Sequence, residues 1–228
     1  MHGKTIKQWL GVDGHPVSHT EKWVAALGAF LGILTTAYIS ARYMPAGDAW
    51  LMVGSMGASA VLLFAVPHGQ LSQPWAATGG QMISAFVGVT CATLIPEPVV
   101  AAACAVSLAV LAMHYARCVH PPGGATALIA VIGGPAIHSL GYDYVWKPVM
   151  INALTILAIA FLFNNLFRWR RYPAYHAPRP EVKMAGLRIE ADDINRALTE
   201  MNLVVDVADS DLVDIVHTAQ RHAAERQS

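Results

Sequence analysis

Long apolar runs alternate with short polar breaks along the first three quarters of the chain. The runs cover about Trp23–Ala41, Trp50–Val66, Ala76–Ile95, Val99–Arg117, Ala125–Ile132 and Trp146–Phe167. Most of them are long enough, as helices, to cross a bilayer core of about 30 Å. The pattern therefore predicts an all-α polytopic membrane protein with six membrane segments.

The fifth run is shorter than the others and follows two prolines. His120-Pro121-Pro122-Gly123-Gly124 cannot lie inside a helix, because each proline lacks a donor and clashes with the preceding turn. Pro122 suits the first turn of a new helix. The run closes at Gly133-Gly134-Pro135. We expect a re-entrant or broken helix here, or a crossing that the polar loop to Ser139 extends.

A six-residue phrase occurs twice in the apolar part of the chain. Gly57-Ala58-Ser59-Ala60-Val61-Leu62 is followed 67 positions later by Gly124-Ala125-Thr126-Ala127-Leu128-Ile129. When 67 is added to its residue numbers, the first run overlaps the fourth, and the third overlaps the sixth. We therefore predict two inverted three-segment repeats, residues 23–95 and 98–167, whose second and fifth segments are short or re-entrant. Transporters with this layout bind their substrate near the midplane, where the repeats meet.

Charge divides the chain into three parts. Only 13% of the 228 residues are charged, and the mean hydropathy is +0.43. Residues 23–167 hold six charged residues and residues 168–228 hold nineteen. We predict an N-terminal segment over 1–22, a membrane domain over 23–167, and a linker with a helical hairpin over 168–228. The formal net charge is zero, which gives no reason to expect a nucleic-acid partner.

Basic residues lie outside both ends of the apolar region. Lys4, Lys7 and Lys22 precede the first run, and arginines from Arg168 onward follow the last. The positive-inside rule then places both termini in the cytoplasm, in a multi-pass protein of the cell inner (plasma) membrane. Termini on the same side require an even number of crossings. Six crossings meet this requirement, and so do four crossings with two re-entrant segments. We also expect a homo-oligomer, because the short segments leave little room for a sealed path.

The phrase that occurs twice predicts a binding site. A helix N-terminus presents unpaired N–H groups and partial positive charge, and glycine lets a ligand approach closely. Two such starts, at Gly54–Gly57 and Gly123–Thr126, would face each other and hold a small inorganic anion without a charged side chain. The candidate substrate-binding residues are Gly54, Ser55, Gly57, Ser59, Gln81, His120, Gly123, Gly124, Thr126 and Asn152. The alternative is that small residues only let helices pack closely in lipid.

His120 has several possible roles before the proline break. An ionisable group at membrane depth could hold a proton or steer an anion, or it could simply bond loop backbone. His114 precedes His120 by six residues, and two metal ligands on one helix need a different spacing. We therefore expect no metal, and we expect no cofactor. An intramembrane enzyme using His120, and a structural or sensory subunit, remain alternatives to transport. We do not expect an enzyme, since no paired carboxylates or nucleophile motif accompany it.

Three motifs in order resemble one known family. His120–Ala127 looks like the signature of the HPP family of integral membrane proteins. Gly54–Phe64 is similar to the first motif of that family. Its second motif is similar to the segments Leu71–Trp75, Gly79-Gly80 and Ile83–Ala85. The resemblance covers about Trp23–Phe167 and implies a membrane domain, usually described with four spans. Plant and cyanobacterial members are linked to nitrite transport, so it implies a transporter or channel for a small monovalent anion, nitrite first.

Some members of that family carry a C-terminal pair of CBS domains. Ala191–His217 is similar to the helical segment that precedes the pair. The sequence ends at Ser228, so the resemblance does not carry adenine-nucleotide regulation to this chain.

Overall fold

The computed structural model describes residues 17–43, 46–176, 191–201 and 209–226, and every regular element in them is helical. The α-helices are α1 His19–Tyr43, α2 Ala46–Ala65, α3 Pro74–Leu94, α4 Pro98–Tyr115, α5 Pro121–Ile132, α6 Gly134–Leu140, α7 Ile151–Asn164, α8 Ala191–Glu200 and α9 Asp209–Glu225. A π-helical turn, Val145–Met150, leads directly into α7, and 3₁₀ turns lie at Gln70–Ser72, Arg168–Arg170 and Ala174–His176.

Within the described residues, four helical stretches are long and apolar enough to cross a membrane. They are His19–Arg42, Pro74–Leu94, Pro98–Tyr115 and Val145–Asn164. The pair α5 and α6 counts as a fifth if it is one span, although the two helices meet at 101°. Within α2, the part from Gly54 to Ala65 is a shorter apolar helix. The prediction of an all-α membrane protein is confirmed, with four or five candidate spans.

The chain divides into two compact units. One runs from Trp23 to Pro178 and contains the membrane helices. The other combines the N-terminal residues with the chain after Pro178, and its described helices α8 and α9 pack against each other. In that hairpin Leu198 is buried, whereas Ile215 is 58% exposed.

The helix α2 differs from the expectation in where it begins. It starts at Ala46 and continues without a break through Gly54 and Gly57, so the predicted helix N-terminus at Gly54–Gly57 is wrong. A glycine inside a helix costs about 1 kcal/mol relative to alanine. An opened backbone in lipid would leave N–H and C=O groups unsatisfied, at several kcal/mol each. Because no proline accompanies these glycines, the helix continues.

Side chains from distant parts of the chain bind the carbonyl end of α2. Ser72 donates to the carbonyl oxygen of Leu62 at 2.9 Å, and Asn164 donates to that of Leu63 at 3.0 Å. Arg170, which is 1% exposed, donates to the carbonyl of Phe64. These bonds satisfy groups that every helix C-terminus leaves open. They also fix the 3₁₀ turn Gln70–Ser72 against the end of α2.

The start and end of α4 are capped in different ways. The carboxylate of Glu97 accepts from the backbone N–H of Val100 at 2.7 Å, so Glu97 is the N-cap of α4. At the other end, Arg117 takes the left-handed conformation with φ 54°. Its N–H and that of Cys118 bond back to the carbonyls of His114 and Met113, as in a Schellman motif. This tight ending turns the chain toward His120.

The two remaining irregularities both follow from glycine and proline. The bend between α5 and α6 lies at Gly133-Gly134, where Gly134 has φ 79° and Pro135 follows in the first turn of α6. The wide turn Val145–Met150 contains Pro148, which cannot donate a helical hydrogen bond. The last membrane segment thus begins at Val145, close to the predicted Trp146.

Candidate functional site

His120 is the N-cap residue of α5 and is completely buried. Its ring lies between two elements. Nδ1 is 2.8 Å from the carbonyl oxygen of Leu71 in the first 3₁₀ turn, and Nε2 is 2.9 Å from the hydroxyl oxygen of Ser59 in α2. The Schellman motif on one side and Pro121 on the other fix the backbone that carries the ring.

These two partners define the state of the imidazole. A carbonyl oxygen can only accept a hydrogen bond, so Nδ1 must carry a hydrogen and donate it to Leu71. In the neutral ring Nε2 is then an acceptor, and the hydroxyl of Ser59 donates to it. The 3₁₀ turn that presents Leu71 therefore selects one tautomer of His120.

The hydrogen bonds continue from Ser59 across the bundle. Gln81 of α3 donates from Nε2 to the Ser59 oxygen at 3.3 Å, and Thr126 of α5 donates to Oε1 of Gln81. The hydroxyl of Tyr144 donates to the backbone carbonyl of Thr126 at 2.9 Å. We call Ser59, Gln81, His120 and Thr126 the polar cluster. All four are at most 2% exposed, and none carries a fixed charge.

Glycines allow α3 and α5 to approach closely enough to form the polar cluster. A Cβ atom at Gly80 would lie 2.6 Å from Cβ of His120, and one at Gly123 would lie 2.5 Å from the Ser84 oxygen. The position of Gly123 is thus occupied by α3. This close contact supports the packing interpretation at Gly123.

The N-terminus of α5 offers few free donors. Of the groups that a helix start leaves open, Pro121 and Pro122 have no N–H, and the N–H of Gly123 donates to the carbonyl of His120 at 2.8 Å. Together with the continuous α2, this removes the expected pair of facing helix N-termini. The prediction of a site between duplicated helix starts is therefore wrong, although the residues around it do meet.

The structure places the remaining candidates in two groups. Ser55 is buried one turn before Ser59 on the same face of α2. Gly54 and Gly57 face open space, since a Cβ at either would meet nothing within 4 Å, and Gly124 would meet only Val106 at 3.9 Å. The glycines of the repeated phrase are therefore not part of the polar cluster.

Asn152 lies in a separate polar contact near the start of α7. Its Oδ1 accepts from the hydroxyl of Ser40 in α1 at 2.7 Å. Its Nδ2 is buried and has no hydrogen-bond partner. A buried amide donor without a partner is rare in native proteins and marks a place where a small acceptor could bind.

Several groups that matter to this arrangement were not expected from the sequence. Leu71 contributes only a backbone carbonyl, and Tyr144 reaches Thr126 across 18 residues. Arg170, one of the basic residues after the last apolar run, is buried, with its guanidinium bonded to Asn164 as well as to α2. Each depends on contacts between distant segments, which no local pattern reveals. In the residues that the structure describes, no three His, Cys, Asp or Glu side chains could hold a metal ion together.

Comparison with known proteins bears directly on this domain. Residues 14–173 match the family described as HPP, transmembrane region. This chain belongs to the HPP transmembrane family. The match includes the polar cluster, Asn152 and all membrane helices from α1 to α7, so the expected resemblance over about 23–167 is confirmed.

Two curated relatives are described only as transmembrane proteins. Both come from Dictyostelium discoideum and are 37% identical to this chain, over 176 and 181 residues. The matched part is 75% of this chain in each case. It spans 56% and 62% of the length of those relatives, so they are longer than the region compared. No solved structure matches the chain.

Proposed function

We propose that this HPP protein moves a small monovalent anion across the membrane, with nitrite the first candidate. The observation that carries the proposal is the polar cluster, a buried group of neutral donors that joins α2, α3 and α5 inside the membrane unit. Polar side chains at membrane depth are costly, and ionisable ones such as His120 mark substrate or proton pathways in many membrane proteins.

Neutral donors suit a monovalent anion that must also leave. A fixed lysine or arginine would bind such an ion strongly, whereas hydroxyl, amide and imidazole N–H groups bind it weakly enough for release. Asn152 adds a second donor in the same unit, because its Nδ2 has no protein partner. Nitrite is preferred over other small anions because of its link to plant and cyanobacterial members of the family.

The decisive experiment measures nitrite uptake by purified protein in liposomes. Thr126→Val removes the hydroxyl that binds Gln81, and the expected result is an uptake rate about fivefold lower, the effect of one lost hydrogen bond of about 1 kcal/mol. Thr93→Val is the matched control, because Thr93 is exposed on α3 and bonds only the carbonyl of Val89 in its own helix. Uptake no faster than in empty liposomes, with folded protein, would remove the proposal.

A structural subunit is the second candidate, and one observation favours it. Every member of the polar cluster already has a hydrogen-bond partner, as expected if the cluster only joins helices. In that case Thr126→Val would lower the unfolding temperature while no anion flux exists in any variant. Measuring flux and unfolding on the same samples separates the two functions.

The proposal includes an arrangement of the chain. The described helices supply three membrane elements to each half, α1 to α3 and then α4, the bent pair α5 and α6, and α7, which is compatible with two inverted repeats. We propose that both termini are cytoplasmic, in the plasma membrane, and that the protein is a homo-oligomer. Labelling of single cysteines near each terminus from either side, and light scattering in detergent, test these points.

A further inference from the structure

The hydrogen bonds of the polar cluster run in one direction. Thr126 donates to Oε1 of Gln81, Nε2 of Gln81 donates to Ser59, and Ser59 donates to Nε2 of His120. The ring in turn donates from Nδ1 to Leu71. Every link is set by its neighbour, because each hydroxyl has one hydrogen and the amide has one oxygen and one nitrogen.

We infer that a proton bound by His120 reverses this chain of hydrogen bonds, with Gln81 as the residue that turns. When Nε2 of His120 takes a proton from water, it becomes a donor to the Ser59 oxygen. The Ser59 hydrogen then needs an acceptor, and Gln81 provides one if its amide rotates by about 180°. Nε2 of Gln81 then donates to the Thr126 oxygen.

The reversal leaves no group unsatisfied. Thr126 can direct its hydrogen to the carbonyl of Pro122, one helical turn earlier, as hydroxyls in helices commonly do. The amide oxygen and nitrogen of Gln81 have nearly the same size, so the heavy atoms stay where they are. The charged state therefore keeps every hydrogen bond of the chain, with directions reversed between His120 and Thr126, and gains one from Thr126 to Pro122, while it also carries one buried positive charge. An anion nearby would favour the charged state, and by linkage the proton would favour the anion.

The surroundings of His120 simplify this two-state behaviour. Titratable or charged side chains also lie on the elements and connecting segments around it, and the described ones include His68, Cys91, Glu97, Cys104, His114, Tyr115, Arg117, Cys118 and Tyr144. None of these is hydrogen-bonded to the ring, whose partners are Ser59 and Leu71. His68 bonds the carbonyl of Arg171 instead, and Arg117 is exposed. The charge on His120 is thus coupled directly to Ser59 and Gln81.

The test follows imidazole and amide in one sample. Protein labelled with ¹⁵N in histidine and glutamine is placed in lipid nanodiscs, and spectra are recorded from pH 4.5 to 8.5. The His120 and Gln81 signals are identified by their loss in His120→Ala and Gln81→Met. We expect the Gln81 side-chain signal to shift with the same midpoint as the His120 ring. A Gln81 signal that stays fixed while His120 titrates, or a ring with one protonation state throughout, would overturn the inference.

Variants then test the route of the coupling. In Ser59→Ala, His120 should still titrate while the Gln81 signal no longer follows it. In Thr93→Val both should move together as in the unchanged protein. The inference deepens the proposed function, yet the readout is independent of flux. Coupled titration without nitrite uptake would remove transport only, and uptake with a fixed Gln81 amide would remove the reversal only.

Discussion

At the scale of single residues, the chemistry of the site depends on which hydrogen-bond donors and acceptors are already bonded within the folded protein. His120 has one ring nitrogen committed to a backbone carbonyl, so its neutral form accepts at the other nitrogen. His120 therefore combines two of the roles that the sequence left open, binding loop backbone and holding a proton. It binds loop backbone through Nδ1, and it offers Nε2 to the polar cluster as a place for a proton.

Asn152 gives the sharpest residue-level prediction. Asn152→Leu removes an unpartnered buried donor, and the Ser40 hydroxyl that loses its acceptor can turn to the carbonyl of Thr36, one turn earlier in α1, so the net effect on stability is small. We expect the unfolding temperature in detergent to stay within about 3 °C, since small net changes in free energy move it little, while nitrite uptake falls. A variant that loses stability but keeps its uptake rate would show that Asn152 is structural. Ser107→Ala, an exposed hydroxyl on α4, is the control.

At the scale of elements, the sequence predicted helix ends correctly where the length of an apolar run or the position of proline determines them. The ends of α1, α3 and α4 follow from apolar length, and the start of α5 follows from its two prolines. It failed at Gly54 because two glycines without a proline do not open a helix in lipid. It could not identify Leu71 or Arg170, whose roles depend on segments tens of residues away. The candidate residues Ser59, Gln81, His120 and Thr126 do meet, but through hydrogen bonds between side chains and not at paired helix starts.

The contact between α3 and α5 predicts opposite outcomes for two glycines. A Cβ at Gly88 would lie 2.6 Å from the carbonyl oxygen of Ala127 and 2.8 Å from Cβ of Ala130, whereas one at Gly57 would meet nothing within 4 Å. Gly88→Ala should separate the helices and destabilise the fold by about 1–3 kcal/mol. Gly57→Ala, the same change inside α2, should be neutral or stabilising by up to about 1 kcal/mol. Thermal unfolding of both variants measures this, and equal losses would contradict the packing described.

At the scale of the whole molecule, the parts that the proposed function needs lie in one unit. The polar cluster, the Ser40–Asn152 contact and the bonds that close the end of α2 all belong to the unit from Trp23 to Pro178. The charged hairpin of α8 and α9 belongs to the other unit. The hydrogen bonds of the cluster described above are thus all made within the first unit.

This separation leads to a prediction about a shortened chain. A protein that ends at Pro178 should insert, keep its unfolding temperature within a few degrees and retain nitrite uptake, because no described hydrogen bond of the cluster involves α8 or α9. Adding Thr126→Val to the shortened chain should reduce uptake by the same factor as in the full chain, since effects at independent sites add. If shortening alone abolishes uptake in a folded protein, the hairpin must act on the membrane unit, as a sensory role for it would require.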